Sequence, residues 1–233
     1  MRYLVTGVSR GIGREIARQL ITTGHEVYGV VRPSTGSGHE KAGSGHEGLR
    51  DLAGVAEADL SDPGSIADSL QAFASTLTHL DGLVHSAGMV RGGSLEDTTA
   101  ADFTGQFDVN VTAAAEITRL FLPLLRASRA TVVFINSTSG LAASSPTAAY
   151  AASKFALRAY ADALRQDEPA LRVTSVFPSR TGTDMQRELR AIEQAEYVAD
   201  DYLRPETVAT VVVAALTLPD DGVITDVTLR PRP

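Results

Sequence analysis

The sequence predicts an α/β fold: a doubly wound parallel sheet with helices on both faces. Short apolar runs alternate with helical patterns along the whole chain, in the rhythm of repeated strand–helix units. The strands read as near-continuous apolar runs, as strands covered on both faces do. A glycine-rich turn, "TGVSRGIG", joins the first such run to the first helical pattern. The 233 residues, 43% hydrophobic and 21% charged, fit one sizeable core, so a single domain over 1–233 is expected.

Each element has its own signal. "YLVTG" (3–7) is an apolar run ending in glycine, and Ile12, Ile16, Leu20 and Ile21 follow at helical spacing with Gly24 as a stop. "HEVYGVV" (25–31) reads as the second strand and "GLRDLAGVAEADL" as a short helix and third strand. In "SDPGSIADSLQAFASTL", Ser61 or Asp62 caps a helix with Pro63 in its first turn, and Ile66, Leu70, Phe73 and Leu77 form one stripe. "GLVHSAG" (82–88), "ATVVFINS" (130–137) and "LRVTSVFP" (171–178) are buried-looking strands. A helix over about 205–217 and a strand in "GVITDVTL" (222–229) complete the pattern, giving about seven strands.

Composition excludes several classes. The formal charge of −7, with only scattered arginines, leaves no basic stripe for nucleic acid. Without cysteine there is no disulfide, thiolate metal site or cysteine nucleophile. The N-terminus lacks the pattern of a signal peptide and no apolar run reaches bilayer length, so a cytoplasmic location and no membrane partner are expected.

Chemistry-bearing residues cluster at predicted strand ends. Gly7, Gly11 and Gly13 let the chain turn sharply and let a pyrophosphate approach a helix N-terminus, where free N–H groups favour negative charge. A tight strand-to-helix connection would use the same glycines. Tyr150 and Lys154 lie four apart in a helical pattern, so the ammonium can sit near the phenol and lower its pKa. A surface Tyr and Lys would share that spacing by chance. Ser137 ends an apolar strand thirteen residues before Tyr150, with Thr138 and Ser139 as rival hydroxyls. Asn110, in "FDVNVTAA", falls on a predicted helix, where a back-bonding asparagine is the commoner arrangement.

In order and approximate spacing, Asn110, Ser137, Tyr150 and Lys154 resemble the catalytic set of the short-chain dehydrogenase/reductase family. The G-x-x-x-G-x-G turn, "ADL" with Asp59, "SAG" (86–88) and "PSRTGT" (178–183) are similar to further segments of that family, and the resemblance spans about 3–229. It implies a Rossmann-type fold and NAD(P)-dependent interconversion of a carbonyl and an alcohol. Tyr150 would move the proton, Lys154 would lower its pKa and hold the nicotinamide ribose, Ser137 would polarise the carbonyl, and Asn110 would position a relay water. The implied cofactor contacts are Gly7, Ser9, Arg10, Gly11, Ile12, Gly13, Arg32, Asp59, Leu60, Ser86, Ala87, Gly88, Asn110, Tyr150, Lys154, Pro178, Thr181 and Thr183. Two departures stand out: His85-Ser86 replaces the family's paired asparagines, and Pro178-Ser179 replaces Pro-Gly. His85 is read as a buried residue satisfied by backbone rather than a proton shuttle.

NAD users of the family carry an acid at the end of the second strand. Here Val31 and Arg32 stand there, and with Arg10 they favour the 2′-phosphate of NADP(H) over NAD(H). The polar segment 184–204 is expected to lid a small-molecule carbonyl or alcohol substrate. The doubled "GSGHEKAGSGHEG" (36–48), within an insertion at about 34–48, is read as flexible chain, not as a metal site or a clamp through Lys41. No metal is expected. The resemblance further implies a homodimer or homotetramer. Rival readings are a 3-oxoacyl thioester reductase, with Arg126 and Arg129 toward an acyl carrier, a non-catalytic NADP-binding sensor or scaffold, and a nucleotide-sugar epimerase or dehydratase.

Overall fold

The computed structural model describes residues 1–33 and 50–232. Among them, strands β1 (Arg2–Thr6), β2 (Glu26–Val31), β3 (Gly54–Glu57), β4 (Gly82–His85), β5 (Thr131–Ile135), β6 (Arg172–Pro178) and β7 (Asp226–Leu229) form one sheet. Their order is β3-β2-β1-β4-β5-β6-β7, and every pairing is parallel. The doubled loop lies outside the described residues.

The apolar strands bury both faces because successive side chains point to opposite sides. Tyr3, Val5, Val84, Val133 and Val176 pack with helices α1 (Gly11–Thr22) and α7 (Pro205–Leu216) on one face. Leu4, Leu83, Val132, Phe134 and Val173 pack on the other with α2 (Ile66–Ala74), α4 (Ala113–Ser128) and α5 (Ala148–Asp167). Phe121 on α4 is fully buried there, and removing such a ring costs about 3–5 kcal/mol. Helix α3 (Ala100–Phe107) opens with a capping box, in which Thr99 and Asp102 satisfy each other's backbone N–H groups.

Three local expectations need correction. Neither Ser61 nor Asp62 caps α2 through its side chain. Pro63–Ser65 instead forms a 3₁₀ turn leading into the helix, so hydrogen bonds of the tighter turn replace the cap. The last strand starts at Asp226 rather than Gly222. Between α3 and α4, Asp108–Thr112 forms a π turn rather than plain α-helix, and Asn110 stands at its centre. No helix among the described residues is long and apolar enough to cross a membrane.

Candidate active site

The strand order reverses between β1 and β4: the chain leaves β1 toward β2 and β3, then returns on the other side. A crevice opens outside the carboxyl ends of strands at such a switch point. The glycine-rich turn follows β1 and "SAG" follows β4, so both reach it. Gly7 has φ of +72°, and a Cβ there would lie 2.9 Å from the Cα of Ala87. A Cβ on Gly13 would lie 2.3 Å from the Gly7 carbonyl oxygen. Both glycines are therefore fixed by close packing of the head of α1 against the ends of β1 and β4. Thr6 holds the other wall, its hydroxyl oxygen accepting from the N–H groups of Ser86 at 3.1 Å and Ala87 at 3.0 Å.

A cleft of about 640 Å³ opens at this end of the sheet. It brings together Ile12, Ser86, Gly88, Ser137, Tyr150, Lys154, Pro178, Thr181 and Thr183 from the sequence-predicted set. Leu60, Ala87 and Asn110 instead line a small adjoining cavity with Thr6 and His85. Gly7, Ser9, Arg10, Gly11, Gly13, Arg32 and Asp59 line neither; Arg10 and Arg32 are exposed at the head of α1 and the end of β2. The carboxylate of Asp59 accepts from the backbone N–H and hydroxyl of Ser61, which hold its pKa below the usual range, with a small contribution from Arg32.

Tyr150 and Lys154 stand one turn apart on α5. The ammonium lies 5.7 Å from the phenol's ring centroid and donates to the Ile135 carbonyl at 2.9 Å. Burial lowers the Lys154 pKa to about 8. Tyr150 keeps some solvent contact through the cleft, yet dense packing around its phenol pushes its pKa up, against a smaller lowering by the Ser137 hydroxyl. In the protein alone, loss of solvent outweighs the lowering by Ser137, so the net direction is upward. Ser137 caps the 3₁₀ turn Thr138–Gly140, its Oγ accepting from the Ser139 N–H at 3.1 Å.

Two further residues are held by contacts distant in sequence, and for His85 the expectation is corrected. The Asn110 side chain is engaged through both ends: Oδ1 accepts from the Met89 N–H at 2.9 Å, and Nδ2 donates to the Met89 carbonyl at 3.0 Å and to Ser153 Oγ at 2.9 Å. Both amide protons are used, so the side chain pins the loop after β4 to α5. His85 is buried, but its partner is the Thr118 hydroxyl at 2.9 Å, not backbone. It stacks on Phe134 with centroids 4.9 Å apart, and burial lowers its pKa to about 3.

Part of the segment expected to lid the substrate, 184–204, forms the cleft's outer wall, but sequence reasoning did not single out which of its residues face inward. Helix α6 (Asp184–Ile192), capped by the Thr183 hydroxyl, contributes Met185, Gln186 and Leu189. Beyond it Glu193 accepts from Arg180 at 2.7 and 2.8 Å and from Arg190 at 2.7 Å. A helical pattern was visible in 184–192, but nothing in it showed which face turned inward.

The family model for short chain dehydrogenases matches residues 2–194. The chain belongs to the short-chain dehydrogenase family. An uncharacterised oxidoreductase of Staphylococcus epidermidis is 29% identical over 231 residues, 98% of this chain and 96% of that protein. A short-chain dehydrogenase from Burkholderia cenocepacia, solved in complex with NADP, is 28% identical with a TM-score of 0.80, covering 98% of this chain and 96% of that one. An alcohol dehydrogenase of Thermococcus sibiricus, solved with 5-hydroxy-NADP, shares the fold at 22% identity and TM-score 0.84, covering 100% and 98%. The protein is thus an oxidoreductase of this family. Its residues fit a nicotinamide dinucleotide, because the glycine packing leaves the N-terminus of α1 bare of any side-chain cap beside the cleft.

Proposed function

We propose that this short-chain dehydrogenase is an NADPH-dependent reductase, acting reversibly, of a small or medium ketone or aldehyde. The observation that carries the proposal is the convergence of Ser137, Tyr150 and Lys154 in one cleft beside the glycine-rich turn. We assign the chain one domain over 1–233, with 184–204 as the substrate lid, and a homodimer or homotetramer as its assembly.

The nicotinamide supplies the hydride when bound. Tyr150, with its pKa raised, keeps its proton at neutral pH and donates it to the substrate oxygen during reduction. Lys154 is charged at pH 7 and stands beside the phenol, where it stabilises the phenolate that donation leaves. One of its protons goes to Ile135, leaving two for ribose hydroxyls. Ser137 Oγ accepts from Ser139, and its hydroxyl, which faces the Tyr150 phenol, would turn its proton to a bound substrate carbonyl. Asn110 fixes the wall that carries Gly88 and Met89. Gly7, Ser9, Gly11, Ile12 and Gly13 would cradle the pyrophosphate, Asp59, Leu60, Ser86 and Ala87 the adenosine, and Pro178, Thr181 and Thr183 the nicotinamide side.

For NADP(H) over NAD(H), the support is Arg32 and Arg10, exposed at the strand end and helix head where a 2′-phosphate would lie. NADP in the Burkholderia relative agrees with that choice. Arg126 is engaged by Glu168, which weakens a docking role for it toward an acyl carrier. The test is NADPH oxidation over a panel of ketones, aldehydes and acyl thioesters. Turnover of a ketone or aldehyde is expected; turnover restricted to acyl thioesters, or none at all, contradicts the proposal.

A further inference from the structure

Gln186 sits in the first turn of α6, 6% exposed, and lines the same cleft as Ser137 and Tyr150. Its backbone N–H is used by the α6 cap, bonding to Thr183. The side-chain nitrogen Nε2 is buried and has no hydrogen-bond partner among the described residues. Buried amides are nearly always paired, so one left open in a cleft wall points to a missing partner. Two polar groups of the same wall are already engaged. The Glu193 carboxylate accepts from Arg180 and Arg190, and the Thr183 hydroxyl donates to the Thr181 carbonyl at 3.3 Å. The cleft is also lined by apolar Met185 and Leu189 from α6, and by Met89, Val90 and Ala142. Asn136 Nδ2 and Ser179 Oγ, on the same cleft, are likewise buried without a partner, and Gln186 Nε2 meets a ligand oxygen once its terminal amide turns toward the cleft.

We infer that Gln186 is a specificity-determining residue that donates to a second acceptor oxygen on the substrate, apart from the reacting carbonyl. The favoured substrate class is therefore carbonyl compounds bearing a further ester, keto or hydroxyl oxygen, over plain ketones of the same length. The inference rests on the reading of the cleft as a carbonyl-reductase site. Met185 and Leu189, beside Gln186 on α6, make this part of the wall suited to a substrate's carbon chain; Pro178, Thr181 and Thr183 of the same cleft are assigned to the nicotinamide side, so the cofactor is the competing partner.

The test compares ethyl acetoacetate with 2-heptanone, matched in chain length, in the wild type and in Gln186→Met. The variant keeps the volume of the side chain and removes its donor. The ratio of kcat/KM, ester over plain ketone, is expected to fall roughly tenfold or more, while turnover of 2-heptanone and the Kd for NADPH hold. Tm should not fall, because an unpaired buried amide is removed. An unchanged ratio overturns the inference. A higher Kd for NADPH at constant ratio assigns the donor to the cofactor and also overturns it. Lower Tm with both ketones equally impaired makes the residue structural.

A binding arm separates this inference from the proposed chemistry. In Tyr150→Phe protein with NADP⁺, ethyl acetoacetate should raise Tm more than 2-heptanone, and adding Gln186→Met should abolish the difference. If the wild type reduces neither ketone while that binding difference persists, the reductase reading fails and the Gln186 assignment stands. If turnover is present and the binding difference is missing, the Gln186 assignment alone fails.

Discussion

Lys154 Nζ lies 5.7 Å from the ring centroid of Tyr150 and is tied at 2.9 Å to the carbonyl of Ile135, the last residue of β5. A buried ammonium is thus held between the strand that ends at the cleft and the phenol proposed to move the proton. Burying a charge opposes its ionisation, and Lys154 reflects this with a pKa of about 8.

The first prediction separates function from stability at Lys154. Its folded pKa is below the unfolded value, so the unfolded chain binds more protons between about pH 8 and 10.5. The lysine's contribution to stability is therefore least favourable below pH 8 and improves as pH rises through that window. Lys154→Met should abolish turnover while the Tm at pH 7 holds or rises. A sharply lowered Tm would show that the ammonium stabilises the fold.

The same group sets a pH dependence. Lys154 is protonated below about pH 8 and neutral above it. The kcat/KM for NADPH, which reports the free enzyme, should be flat near neutrality and fall about tenfold per pH unit above that value. A profile flat to pH 10 would detach the lysine from cofactor capture.

His85 should be silent in catalysis. With its pKa at about 3 it stays neutral through the working range, and its bond to Thr118 serves packing. Thr118→Val leaves the buried ring nitrogen unpaired and should cost about 1–3 kcal/mol of stability by denaturant unfolding. Turnover should keep its pH profile. A new break near pH 6.5 would return His85 to the proton path.

Cofactor choice should hinge on Arg32. Replacing it by Asp puts a carboxylate where the 2′-phosphate would lie, so the ratio of kcat/KM for NADPH over NADH should fall from above one to below one. The change should be roughly tenfold or more, the weight of one charge-assisted hydrogen bond plus repulsion. An unchanged ratio would place the phosphate elsewhere.

Fold and site were not equally legible. The strands could be read because burial on both faces makes them apolar runs, and the glycine turn after β1 and "SAG" after β4 were legible as site segments through the family resemblance, whereas the switch point between them came from the strand order. The turn-by-turn details could not. A π turn at Asp108–Thr112 leaves no periodic mark in five residues, and what Asn110 bonds depends on Met89 and Ser153, 21 and 43 residues away. His85 was recognisable as buried, but Thr118, 33 residues on, could not be singled out as its partner. Spacing brought Tyr150 and Lys154 together correctly, yet the direction of the tyrosine's shift depended on packing that spacing does not encode. Local pattern finds elements, and long-range contact decides the state of each group.

The central claim is tested most directly at the Tyr150 hydroxyl. On a ketone or aldehyde that the wild type reduces with NADPH, Tyr150→Phe should lower kcat by about 10²–10⁴-fold with the Kd for NADPH and the Tm preserved. Retention of wild-type kcat in that variant would contradict the account.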